Sequence, residues 1–127
     1  MISDVPRHLA DSASKGVDDA VFVALAEMTD ALEELVGNAG AMIERARAVA
    51  AERREGRPWV DVLFTEDARS ITASLAEAAD RIGRANSGVR RAQAAVLYRN
   101  GMSMERIGML LGISRQRVAI LLRAVLE

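Results

Sequence analysis

From Val21 onward the chain sets an apolar side chain every three or four residues: Val21, Leu25, Met28, Leu32, Leu35, Ala39, Met42, Ala46 and Val49. Steps that alternate four and three keep one narrow face of an α-helix apolar. Held for about four heptads, such a seam predicts a long helix packed on one or two neighbours. Gly37 and Gly40 interrupt it, each costing about 1 kcal/mol relative to alanine in a helix interior. They read either as a place of close helix contact or as a kink. The run Glu55-Gly56-Arg57-Pro58 ends the helix, because Gly56 suits a C-terminal cap and Pro58 cannot continue it.

A short helical turn over residues 59–64 follows, begun by Pro58 at its first position. Trp59 and Phe64 supply bulk that the chain lacks elsewhere and are expected in the core. Thr65 is placed to cap a further helix, with Glu66 and Asp67 in its favourable first turn. That helix carries Ala68, Ile71, Leu75, Ala78, Ile82 and Ala85, and is expected to run antiparallel to the first as a hairpin. Asn86-Ser87-Gly88 reads as a break. Residues 1–16 are polar and patternless, which suggests a flexible arm.

The last 40 residues divide into three short helical segments. Ser87 is the expected cap of a helix over residues 89–99, which Asn100-Gly101 ends. Ser103 caps residues 104–111; Gly112 closes that segment, Ile113 follows, and Ser114 caps residues 115–126. Ile107 and Leu111 face inward, Gly108 lies where only a small side chain fits, and Gly112 takes a left-handed turn. Ile113 plugs the turn. Val118, Leu121, Leu122 and Val125 form an i, i+3, i+4, i+7 stripe that packs back. Met102, Met104 and Met109 are expected to fill gaps in this small core.

Composition settles the class. Among 127 residues are 23 alanines, four aromatics, two prolines, one histidine (His8) and no cysteine. Alanine, leucine, arginine and glutamate favour helix, and the expectation is all-α. No disulfide scaffold or cysteine-ligated metal site is possible without cysteine. One histidine and no Gly-rich phosphate loop leave no catalytic constellation, so the chain reads as a non-enzyme without metal or cofactor. No signal-like apolar core and no run of about 18 apolar residues is seen, so a cytoplasmic place, associated with the nucleoid, is expected.

The formal net charge of −1 hides an asymmetry. Residues 1–80 carry 8 basic and 16 acidic groups, a net of −8; residues 81–127 carry nine arginines against Glu105 and Glu127, a net of +7. Such a split points to an anionic partner for the C-terminal end.

Three short helices with a glycine-containing turn before the last describe a helix-turn-helix. Residues 95–118, AVLYRNGMSMERIGMLLGISRQRV, resemble the helix-turn-helix of sigma-factor region 4 and of related bacterial regulators. The resemblance covers roughly residues 88–125, is most specific over residues 107–118, and departs at Gly108, where alanine is commoner. It implies binding of double-stranded DNA through the third helix.

At about 100° per residue, Val118 and Leu122 of that helix turn inward. Gln116, Ala119, Ile120 and Arg123 turn outward, with Arg115 and Arg117 on the flanks. Arginine bonds guanine in bidentate fashion, glutamine does the same to adenine, and alanine meets a thymine methyl. Gln116 and Arg123 are the expected base readers. Arg115, Arg117 and the backbone around Ser114 suit phosphates, as do Arg90, Arg91, Arg99 and Arg106. Ile120 has two readings: contact with thymine methyls, or burial against another helix.

The organisation expected is therefore an arm (1–16), a long helical hairpin for dimerisation or partner binding (17–86), and a three-helix DNA-binding unit (87–127). The function expected is sequence-specific transcription regulation as a homodimer. Two alternatives stand beside it: a helical protein–protein interaction module of the transcription machinery, and a nonspecific nucleoid-type DNA binder.

Overall fold

The computed structural model describes residues 7–126, with side chains over residues 16–125. The chain is all-helical: α1 (Arg7–Arg54), α2 (Trp59–Leu63), α3 (Glu66–Arg99), α4 (Met104–Leu111) and α5 (Arg115–Leu126), with no strand among the described residues. No helix among them is long and apolar enough to cross a membrane. Two compact units form, one from Met1–Met28 and Ala85–Glu127, the other from Thr29–Arg84. The long helices α1 and α3 each contribute one end to each unit.

α1 begins earlier than the pattern suggests. Residues 7–16 are helical, and only residues 1–6 of the expected arm lie outside the described residues. Extending a formed helix adds one hydrogen bond per residue fixed, so a weakly patterned stretch joins it readily. α1 ends at Arg54, and Gly56 follows with φ 102°.

The buried line on α1 is not the full expected seam. Val21, Met28, Leu35, Ala39, Met42 and Val49 are half-buried as expected. Between them, however, Ala24 and Ala31 are the buried residues, while Leu25, Leu32 and Ala46 are exposed. α3 repeats the device: Ala78 is half-buried and Ala85 and Ala92 are buried, again seven apart, while Leu75 is exposed. Alanine at a contact permits the near end of the usual interaxial range, about 8 Å. A leucine there would hold the helices apart.

α3 runs unbroken through Asn86-Ser87-Gly88, so the break and the Ser87 cap expected there do not form. Ala85, Val89 and Ala92 are buried on either side of the triplet. Packing on both flanks outweighs the weak helix propensity between them. The start of α3 follows expectation, with the Ala68 N–H donating to Thr65 Oγ1 at 3.3 Å.

In the unit Thr29–Arg84, α1 and α3 line a groove that includes Ala31, Leu35 and Met42 opposite Ser74 and Ala78, and Arg81 pairs with Glu34. In the other unit Val21, Ala24 and Met28 of α1 pack on Val89 and Ala92 of α3.

α2 corrects a further expectation. Pro58 is its N-cap, with φ −62° and ψ 144°, rather than its first helical residue. Trp59 and Phe64 are not core: they are 49% and 74% exposed, whereas Val62 is fully buried. Five residues of helix offer one inward face, and Val62 holds it. The Trp59 ring instead lies under the Arg53 guanidinium, 5.8 Å from its centroid. Val62→Ala is therefore expected to lower stability by about 2 kcal/mol, and Phe64→Ala by less than about 0.5 kcal/mol, in thermal unfolding followed by circular dichroism. An equal loss from both would mean that Phe64 is packed after all.

Candidate functional site

Five buried residues cluster where the end of α3 meets α4 and α5. Ala94, Ile107, Val118, Leu121 and Leu122 are buried together, and Leu97, Met102, Met104, Leu111 and Ile113 pack around them. Ile107 and Val118 are wholly excluded from solvent. The ends of these helices are fixed by local bonds. After Arg99, Gly101 adopts φ 91° and the Met102 N–H donates to the Leu97 carbonyl at 3.0 Å, a helix-ending pattern that glycine makes easy. Ser103 caps α4, its hydroxyl accepting from the Arg106 N–H at 3.2 Å. Ser114 caps α5, accepting from the Arg117 N–H at 3.0 Å.

Between α4 and α5 the chain turns in three residues. Gly112 is left-handed, φ 72° and ψ 31°, and its N–H donates to the Gly108 carbonyl. The Ile113 N–H donates to the same oxygen at 2.9 Å. Gly108 itself is buried, and a methyl group there would stand 2.7 Å from the Ile113 carbonyl oxygen. This backbone therefore leaves no room for a side chain at position 108.

This packing decides what α5 presents. Its buried face is Val118, Leu121 and Leu122; Val125, expected inward as well, is 38% exposed near the helix end. Ser114, Arg115, Gln116, Arg117 and Arg123 are exposed, and so is Ile120 at 51%, so no helix of this chain buries it. Ala119 is half-buried. Arg106 on α4 and Arg99 at the end of α3 are exposed, while Arg90 and Arg91 on α3 are half-buried. All these residues belong to one unit.

Sequence reasoning missed the outer face of α4. Met102 and Met104 pack on the core as expected, but Met109 is 83% and Leu110 65% exposed. The signal was available: Met109 is two residues beyond the buried Ile107, about 200° around the helix.

Ion pairing differs between Thr29–Arg84 and residues 85–125. In Thr29–Arg84, Arg47 pairs with Glu44, Arg57 with Glu52, Arg81 with Glu34 and Arg84 with Asp80. Residues 85–125 hold Arg90, Arg91, Arg99, Arg106, Arg115, Arg117 and Arg123 against Glu105 alone, and none of them is ion-paired among the described residues. No family model matches the chain, and no curated protein or solved structure matches it.

Gly108→Ala tests the turn. Helix propensity alone favours alanine by about 1 kcal/mol; the clash with backbone at Ile113 is expected to outweigh it, giving a net loss of about 1–3 kcal/mol. Chemical denaturation with a helix-sensitive probe measures the sign, and a more stable variant would show that the turn has room to shift.

Proposed function

We propose that this chain is a sequence-specific DNA-binding regulator that acts by occupying an operator or promoter, and that α3's end, α4 and α5 form its helix-turn-helix. The observation that carries the reading is the pairing of an inward Val118–Leu121–Leu122 face with an outward Gln116–Ile120–Arg123 face on α5, among arginines that no carboxylate neutralises. In this reading α5 enters the major groove. Gln116 bonds adenine, Arg123 bonds guanine, and Ile120 with the half-buried Ala119 meets thymine methyls. Arg115, Arg117 and the Ser114-capped N-terminus of α5 hold phosphates on either side, joined by Arg106 and Arg99. The half-buried Arg90 and Arg91 reach phosphate with their outer ends only. A single unit of this kind makes few base contacts, so a homodimer reading two half-sites about 34 Å apart is the working form, with the long helices of residues 17–86 as hairpin and dimer element.

One observation favours a second reading, the protein-interaction module. Met109 and Leu110 are exposed apolar neighbours on α4, and an exposed apolar patch suits a protein partner.

Selection of bound duplexes from a random pool at about 0.15 M salt, near physiological screening, separates the readings, with Arg115→Ala/Gln116→Ala as the comparison. The expected result is an enriched two-fold symmetric motif that the double variant no longer selects. Uniform binding without a motif, falling steeply with salt, would make the chain a nonspecific binder. No binding by either protein would leave the interaction module.

A further inference from the structure

α1 carries a second apolar stripe, separate from its buried line. In the unit Thr29–Arg84, Leu32, Val36 and Ile43 are 45%, 76% and 49% exposed. Their positions fall within about 40° of one another around the helix. Gly40 flanks the stripe, and Gly37 lies about 60° further round the helix; both are exposed, and a methyl group on either would meet nothing within 4 Å. The fold of one chain therefore gives these two helix-interior glycines no close contact to make. The flank that holds Gly40 is also marked by charge. Glu33 lies seven residues before it and Arg47 seven residues after it, on the same side of the helix.

We infer that this face of α1 binds a second copy of the chain, with the two α1 helices crossing antiparallel at Gly40. A two-fold axis through Gly40 sets each residue against the one equally far on the other side. Glu33 of one copy then faces Arg47 of the other, twice over, and Ile43 of one copy lies beside Val36 of the other on the same flank. This is the self-complementary pattern that a two-fold interface requires. A parallel pair would set Glu33 against Glu33 and Arg47 against Arg47, so the charge pattern selects the antiparallel arrangement. Arg47 already pairs with Glu44 at 3.2 Å, but both side chains are about three-quarters exposed, and such a pair yields readily to a less solvated partner. The inference gives a surface to the dimer invoked above, and it stands or falls without DNA.

Sedimentation of the full chain without DNA is the test, with circular dichroism to check the fold of each variant. The wild type is expected to be a dimer at micromolar concentration. Gly40→Leu, which meets nothing inside one chain, is expected to keep its helix content and weaken the dimer about tenfold or more. Glu33→Arg and Arg47→Glu each set like charges together at both ends and are expected to weaken it comparably, while the combined reversal restores it. Rescue by the combined variant is the result a merely structural role would not produce. A monomeric wild type, or a dimer indifferent to Gly40→Leu and to the single reversals, would overturn the inference. The two readings fail separately: without the dimer the DNA selection would yield an asymmetric single motif instead of a symmetric one, and without DNA binding it would yield no motif from a chain that still dimerises.

Discussion

Gly108 lets the backbone of α4 touch the backbone of the turn that follows it. Its carbonyl takes two N–H donors, from Gly112 and Ile113, and its missing side chain leaves room for the Ile113 carbonyl. Two hydrogen bonds to one oxygen and a backbone contact on the other side leave the turn little freedom. The angle at which α5 leaves α4 is set there. With that angle fixed, Ile107 and Val118 meet in a space closed to water, and the rotation of α5 about its axis follows. Gln116, Ile120 and Arg123 point outward because Val118, Leu121 and Leu122 cannot. The outward residues thus depend on a residue that touches none of them.

The long helices follow a different economy of space. Where α1 is most buried its side chains are alanines, Ala24 and Ala31, and α3 offers Ala78, Ala85 and Ala92 at the same seven-residue interval. Small side chains allow close approach but remove little apolar area from water. The larger residues of α1, Phe22, Leu25, Leu32, Val36 and Ile43, remain outside. Fully burying a side chain of that size is worth about 1.5–3 kcal/mol, so much of the apolar content of α1 is unspent within one chain. A helix built this way has a strong physical reason to seek a further surface.

The all-helical class was legible from alanine, leucine and arginine content. The segments around the turn were legible almost residue by residue, since Ser103, Gly112 and Ser114 each do a job that few residue types do. What periodicity alone could not resolve was which of two adjacent apolar positions turns inward. Leu25 and Ala24 both fit a three-four pattern, and the smaller one is inside because the neighbouring helix is close. Size was a misleading guide at Trp59 and Phe64 for a related reason: a single helical turn buries one residue, and Val62 fills the place. The triplet Asn86-Ser87-Gly88 was read by local propensity, whereas the buried Ala85, Val89 and Ala92 carry α3 across it.

Charge joins these parts into one argument. In Thr29–Arg84 four arginines are engaged with nearby carboxylates, all at exposed or half-exposed positions. Each such pair adds at most about 1 kcal/mol of stability, but together they cancel the outward field of those arginines. Residues 85–125 have one glutamate for seven arginines, and none of those arginines is ion-paired among the described residues. Held close in a small unit, unneutralised guanidinium groups repel one another, which costs stability. Under the proposed function an external anion offsets that cost. A polyanion does so with further gain, because each phosphate neutralised releases a condensed counterion to solution. Stiff turn, outward α5 face and unpaired arginines are therefore consequences of one division of the sequence: its short side chains and glycines fix geometry, and its charges are left free to meet something else.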